Sequence, residues 1–326
     1  MNHDGSFGNA CRLIDAAAES GADVVKFQTH VADAETLSDA PNPPYFTAEP
    51  RDRYFTRTAF SLSQWRDLKA YAEGKGMRFL SSVFSAEAVD LLEGLGVDAY
   101  KVPSGEVTNL PLIEHVARTG KPLLMSSGMS SWEELDAAVA AVRRHHARVT
   151  LLQCTSEYPC PPERVGLNVL QEMTARYGLP VGLSDHTMTN YAAYAAVVLG
   201  AIAIEKHVTL SRRMYGSDAK HSLEPEELAD LVRGIRAIET MLASPVNKDD
   251  VNSFAQMKAT FQKSVVAVTE IPAGSTITPE MLAVKKPGTG LPAAKLPEVI
   301  GKRAARTIAA HTVLTSADVL WKDHRA

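Results

Sequence analysis

Two short apolar runs that each stop at a histidine, Val181-Gly-Leu-Ser-Asp-His-Thr187 and Ala201-Ile-Ala-Ile-Glu-Lys-His-Val208, constrain this chain more than anything else in it. The stretch between them, residues 188–199, reads as a helix closed by Gly200. Strand, helix and strand in this order give parallel neighbours, because a parallel connection needs a crossover of a dozen or more residues. Parallel strands of one sheet end at one face, so His186 and His207, 21 residues apart, should converge there. A lone histidine at a strand end is ordinarily a hydrogen-bonded residue. A pair flanked by Asp185 and by Glu205-Lys206 points to a metal or polar catalytic site, since charged groups are seldom buried without partners. Two neutral nitrogen ligands leave most of a coordination sphere open, which suits Mn²⁺ or Mg²⁺ held also by water and substrate oxygens. A closed zinc site would need more ligands.

The same alternation runs through the preceding residues. A helix over 9–19 leads to a strand over 22–29 whose polar tail carries Lys26 and Gln28. Residues 30–61 read as a long loop rich in Pro, Asp and aromatics, including Pro41-Asn-Pro-Pro-Tyr-Phe46. Loops of this length in a compact domain tend to be functional lids. Helices follow over 62–74, with Ser63 as N-cap, 86–94, 110–118, 131–145 and 167–177, separated by strands over 77–84, 99–106, 122–128 and 149–155. A last helix, over 225–242, opens at Glu224-Pro225. This makes seven strands where a (β/α)₈ barrel has eight. The fold class is therefore α/β, a TIM-type barrel whose first strand is apparently missing, with Met1-Asn-His3 as that strand's last residues.

The strand ends share a pattern. Lys26 and Gln28, Ser82, Lys101 with Ser104-Gly-Glu106, Ser126-Ser-Gly128, Thr155, Ser184-Asp-His186 and Lys206-His207 all fall at carboxyl ends, the face that holds barrel active sites. A single Ser-Gly is an ordinary strand-to-helix turn. Recurrence at the same end of successive strands offers cations and donors to an anionic, phosphorylated substrate.

A near balance of 34 basic against 38 acidic residues, with no long run of either sign, argues against nucleic-acid or membrane-surface partners. No signal peptide or transmembrane run appears, and the three cysteines Cys11, Cys154 and Cys160 lack metal-type spacing, so a reducing, cytoplasmic setting is expected. Cys154 lies within an apolar strand and reads as core. Beyond the barrel, residues 244–260 read as a polar linker and 261–326 as a small β-rich domain, leaving 1–243 to the barrel. In the small domain, Ile271-Pro-Ala-Gly-Ser-Thr-Ile-Thr278 resembles Ile308-Ala-Ala-His-Thr-Val-Leu-Thr315, as duplicated halves would.

Asn2-His-Asp-Gly-Ser6, Val24-Val-Lys-Phe-Gln-Thr29, Lys101-Val-Pro-Ser-Gly-Glu106, Ser126-Ser-Gly-Met129, Gly182-Leu-Ser-Asp-His-Thr187 and Glu205-Lys-His207 together resemble the sialic acid synthase family. Ile271-Pro-Ala-Gly274 and Lys286-Pro-Gly-Thr-Gly290 resemble its antifreeze-like (SAF) domain. The resemblance implies a metal-dependent condensation of phosphoenolpyruvate with an N-acylated hexosamine, giving a nonulosonic acid and phosphate. The hexosamine would be N-acetylmannosamine or a diacetamido-trideoxyhexose. It implies a cytoplasmic homodimer, domain-swapped through the SAF domains, using Mn²⁺ or else Mg²⁺ or Co²⁺.

By the same resemblance, His186 and His207 hold the metal, and Lys26, Ser82, Lys101, Ser104, Ser126 and Ser184 hold phosphoenolpyruvate. Gln28, Tyr158 and Asp218 contact the sugar, Lys286 reaches it from the other subunit, and Glu106 with Lys101 lies at the reacting atoms. Three departures stand out. Lys286 replaces a family arginine and lacks its bidentate fork, and Ser156 replaces an asparagine. The family's first strand, with its Glu-Ile-Gly segment, is absent, which points to a recorded start downstream of the true one or to a truncated paralogue. A barrel so opened would expose two unpaired edges, with poor solubility and low activity.

Two other readings compete. Another metal-dependent aldol-type synthase would keep the histidines and lysines but need no trailing SAF domain. A non-catalytic sugar-binding paralogue would fit the missing strand but not the intact His186, His207, Lys26, Lys101 and Glu106.

Overall fold

The computed structural model describes residues 1–44, 46 and 48–321. Tyr45 of the long loop, and residues 322–326 of the carboxyl-terminal unit, lie outside the described residues. The chain divides into two units, Met1–Ser244 and Pro245–Ala326.

The first unit opens with helix α1 (Phe7–Glu19), capped by Ser6, and continues into strand β1 (Val24–Thr29). Where a long bare loop was expected, two short helices form, α2 (Ala32–Glu35) and α3 (Arg51–Thr58). Pro50 sets the start of α3, since its fixed φ suits a helix entry. Helix α4 (Leu62–Gly74) is capped by Ser61 rather than Ser63: the Ser61 hydroxyl accepts from Gln64 N–H while the Gln64 side chain accepts from Ser61 N–H.

The alternation then holds to the end of the unit. It runs β2 (Arg78–Val83), α5 (Ala86–Leu95), β3 (Tyr100–Val102), α6 (Leu110–Arg118), β4 (Leu123–Ser126), α7 (Trp132–Arg144), β5 (Val149–Cys154) and α8 (Leu167–Tyr177), then β6 (Val181–Ser184), α9 (Tyr191–Val198), β7 (Ile204–Glu205) and α10 (Pro225–Ala243). The two histidine strands are shorter than their apolar runs, ending at Ser184 and Glu205, although Asp185 N–H still donates to the Glu205 carbonyl (2.9 Å) and Val208 bridges to Leu223.

The seven strands form one parallel sheet in chain order, the TIM-type arrangement. Outward residues such as Val25, Phe79, Tyr100, Leu151 and Leu183 pack under the helices in one continuous core. Lys26, Gln28, Leu80, Leu124, Leu152 and Glu205 line a cavity of about 490 Å³ bounded by β1 and β7, which do not pair with each other. Met1–His3 form no strand. Instead the Asn2 side chain donates to the Val208 carbonyl (2.6 Å) and to Ser222 Oγ (2.8 Å).

Gly182 shows how tightly β6 and β7 approach. A Cβ placed there would lie 2.4 Å from the Ala203 carbonyl oxygen and 2.7 Å from Leu152 Cδ2. Gly182→Ala is therefore expected to destabilise the unit by about 1–3 kcal/mol through overpacking. Urea unfolding of the two proteins is the check: an unchanged midpoint would mean that this sheet has slack.

In the second unit, helix α11 (Ala255–Phe261) occupies part of the expected linker. Strands β8 (Ser264–Ala267) and β9 (Leu282–Lys285) pair antiparallel, followed by helix α12 (Leu296–Val299) and the antiparallel pair β10 (Arg303–Ala304) and β11 (Val319–Leu320). The two repeated segments meet: Ile271 and Ile308 exchange N–H···O bonds of 2.9 Å in both directions and enter a core with Val265, Ile277 and Leu314. Each copy gives that core an equivalent pair, Ile271 with Ile277 and Ile308 with Leu314.

Candidate active site

Register builds the centre of the site. Cys154 pairs with Ser184 and Ser184 with Glu205, so these three side chains stand in one row across β5, β6 and β7, while Ser82 and Lys101 are aligned across β2 and β3. Lys101, 2% exposed, donates to Ser126 Oγ (2.7 Å) and lies 3.4 Å from Glu205 Oε1. Lys26 Nζ lies 3.0 Å from Glu205 Oε2, and Ser184 Oγ donates to Glu205 Oε1 (2.8 Å). Burial lowers Lys101 to about 8, against the opposing pull of Glu205. For Glu205, burial disfavours the charged form, but Lys101 and Lys26 hold its carboxyl far below the usual range. The Ser82 hydroxyl is buried with no hydrogen-bond partner among the described residues, a donor left over for something else.

The histidines converge as the strand ends require. Their ring centroids lie 5.4 Å apart at 28°, with the Tyr158 ring 4.3 Å from His186. His186 Nδ1 sits 2.9 Å from the Thr155 carbonyl, so that nitrogen carries the proton and Nε2 keeps its lone pair outward. Burial drives His207 down to about 3, so it stays neutral. Among the described residues no group of three or more His, Cys, Asp or Glu could hold a metal ion. Burial disfavours charge on His186 as well, but Cys154 and the Thr155 carbonyl raise it above the ordinary imidazole value. Two imidazoles, one oriented by a carbonyl behind it, fit an ion that draws its other ligands from water or substrate.

A strap fixes the pair from the side. Lys206 Nζ donates to Asp185 Oδ2 (2.9 Å) and to the Thr187 carbonyl (2.6 Å), with both charged side chains 3% exposed or less. Cys154 is buried as expected, but it belongs to the site rather than to the apolar core, with Sγ 4.0 Å from His186 Nδ1. Burial alone would push its thiol up, and His186 and Lys101 bring it to about 7.

The remaining residues spread around the mouth. Ser104 Oγ accepts from Gly128 N–H (3.0 Å), and Glu106 accepts from Asn109 Nδ2 (2.8 Å) while burial lifts its carboxyl above the usual range. Gln28 Oε1 and Asp218 Oδ2 both accept from the Met1 ammonium, at 3.1 and 2.9 Å. Tyr215, just before Gly216, donates its hydroxyl to Glu49 (3.0 Å) and sets its ring 5.7 Å from Phe46, so the long segment after β1 and the segment around Gly216 meet. His30, stacked between Phe55 and Phe84 at 3.8 and 4.1 Å, pairs with Glu35 at 2.6 Å and anchors that segment. In the second unit, Lys286 lies over the Phe261 ring at 5.2 Å.

Sequence reasoning brought together the lysines, serines and histidines, but it read Glu205 only as a flanking charge and Lys206 as a cation for the substrate, whereas Glu205 bridges Lys26 and Lys101 and Lys206 is tied to Asp185. The signal for Glu205 was available, since a glutamate two residues before a strand-end histidine points back into the row occupied by Ser184.

Comparison with known proteins agrees with this geometry. Residues 13–247 match the NeuB family and residues 262–320 match the SAF domain. The N,N'-diacetyllegionaminic acid synthase of Campylobacter jejuni is 37% identical over 94% of each chain. The human N-acetylneuraminate-9-phosphate synthase is 36% identical over 94% of this chain and 86% of its own. Among solved structures, the spore coat polysaccharide biosynthesis protein SpsE of Bacillus subtilis superposes with a TM-score of 0.65 at 30% identity, covering 99% of this chain and 93% of that one. By sequence and by fold, this chain belongs to the NeuB family and carries a SAF domain at its carboxyl end.

Proposed function

We propose that this protein condenses phosphoenolpyruvate with the open-chain aldehyde of an N-acylated hexosamine and water, giving a nine-carbon 2-keto acid and inorganic phosphate. The observation that carries the reading is the set of half-buried Lys26 and buried Lys101, Ser126 and Ser184 beside two converging histidines at one end of a parallel sheet. C3 of phosphoenolpyruvate forms the new bond to the aldehyde carbon, water adds at C2, and the C2–O bond to phosphate breaks. Lys26 and Lys101, with Ser82, Ser104, Ser126 and Ser184, hold the phosphate and carboxylate. Glu106, whose carboxyl burial raises above the usual range, moves a proton at the aldehyde oxygen or the incoming water. His186 and His207 would hold Mn²⁺, which supplies Lewis acidity to the aldehyde oxygen when bound.

Gln28, Tyr158 and Asp218 face the sugar in this reading. Acceptor choice rests with the meeting segments around Phe46 and Gly216. A cytoplasmic homodimer in which Lys286 reaches the other subunit's sugar completes the proposal. Two relatives, named for N,N'-diacetyllegionaminic acid and for N-acetylneuraminate-9-phosphate, support an N-acylated sugar as the class of acceptor.

The test is phosphate release from phosphoenolpyruvate with Mn²⁺ and each sugar, with the product identified by mass. Release that depends on one sugar supports the reading. A folded protein that releases no phosphate with any of them overturns it.

A further inference from the structure

Glu205 is the carboxylate, among the described residues, that contacts both site lysines. An ammonium group has three N–H donors. Lys101 directs one to Ser126 Oγ at 2.7 Å and another towards Glu205 Oε1 at 3.4 Å, and Lys26 directs one to Glu205 Oε2 at 3.0 Å. One carboxylate oxygen therefore serves each lysine, and Ser184 donates to Oε1 as well. Without this bridge the buried Lys101 ammonium and the half-buried Lys26 ammonium would repel each other. The bridge stands on β7, aligned with Ser184, so the sheet fixes where it lies.

We infer that Glu205 is a positioning residue for the anionic substrate: its carboxylate sets the separation of Lys26 and Lys101, aims their unused N–H groups and leaves the pair with one net positive charge. This rests on the reading of the two lysines as the phosphoenolpyruvate site. Glu205 stays in place when the anion binds, because withdrawing it would strand a buried charge. Glutamine at this position has the right shape but turns an NH₂ donor towards one of the ammonium groups, so one lysine loses its anchor.

The experiment is calorimetric titration of phosphoenolpyruvate into wild type, Glu205→Gln, Lys26→Met and the double variant, with steady-state kinetics alongside. Glu205→Gln is expected to weaken phosphoenolpyruvate binding by about 10–100-fold, as for a hydrogen bond to a charged group. It should leave KM for the sugar unchanged, and in the Lys26→Met background it should cost only about threefold, because coupled sites are not additive. Additive losses, or a loss confined to the sugar, would overturn the inference. If Glu205→Gln does not fold, a crystal structure of wild type with phosphoenolpyruvate decides: Glu205 touching both ammonium groups supports the inference, and Glu205 swung away from them overturns it. Wild type that binds phosphoenolpyruvate but condenses nothing defeats the proposed reaction and leaves this inference standing. Wild type that condenses, with Glu205→Gln binding equally well, defeats this inference alone.

Discussion

Lys101→Met is expected to lower kcat/KM for phosphoenolpyruvate by about 10²–10³-fold, the scale seen when one preorganised donor is removed from a water-excluded site. Methionine fills nearly the same volume, so the loss is one of charge. Lys101 is 2% exposed, and burial holds it at about 8 against an ordinary value near 10.5. Its charged form binds the anion, so substrate affinity in the wild type should fall as pH rises through about 8 and should be restored on return to pH 7. That alkaline limb should vanish from the residual activity of Lys101→Met. A variant that keeps the limb would place the titrating group elsewhere. Because the substitution also leaves Glu205 with one cation instead of two, both proteins should be compared well below their melting temperatures.

His207→Ala and His186→Ala should each abolish Mn²⁺-dependent turnover, by more than about 10³-fold if Lewis acidity supplies several kcal/mol. The measurement separates ion from fold: Mn²⁺ binding followed by electron paramagnetic resonance, with thermal unfolding in parallel. Loss of the bound-ion signal from a protein with unchanged melting is the expected result. Retained turnover in either variant would rule out the pair as the ion's anchor. His207 stays neutral down to about pH 3; burial disfavours charge on His186 too, but Cys154 and the Thr155 carbonyl raise it above the ordinary imidazole value, so an acid limb of activity should begin with protonation of His186. Glu106, whose carboxyl burial raises, adds to that limb, and Glu106→Gln should remove its share.

The parallel sheet and its chemical end were legible because strand periodicity and strand-end residues are local signals. Lys26, Lys101, Ser126 and His207 each follow an apolar run, and a parallel sheet has to bring such ends together. The loop after β1 was less legible. Residues 51–58 carry a helix whose apolar contacts, Tyr54 with Phe46 and Phe55 with His30, lie in distant parts of the loop, so periodicity within the segment was weak. Cys154 looked like core because its run is apolar. Its neighbours across the ladder, Ser184 and then Glu205, give it a polar setting that sequence distance conceals. The cap of α4 falls on Ser61 and not on Ser63, because the reciprocal bond with Gln64 forms only at that spacing.

The Asp185–Lys206 strap has an evolutionary consequence. It ties the backbone beside one histidine to the backbone beside the other through a pair of side chains that water hardly reaches. The spacing of the two imidazoles is thereby decoupled from the rim, where Phe46, Glu49 and Tyr215 make a separate cluster. Substitutions in that cluster can accumulate without moving the histidines. A change of side chain at the rim can therefore alter what reaches the site while the spacing of the two imidazoles is kept.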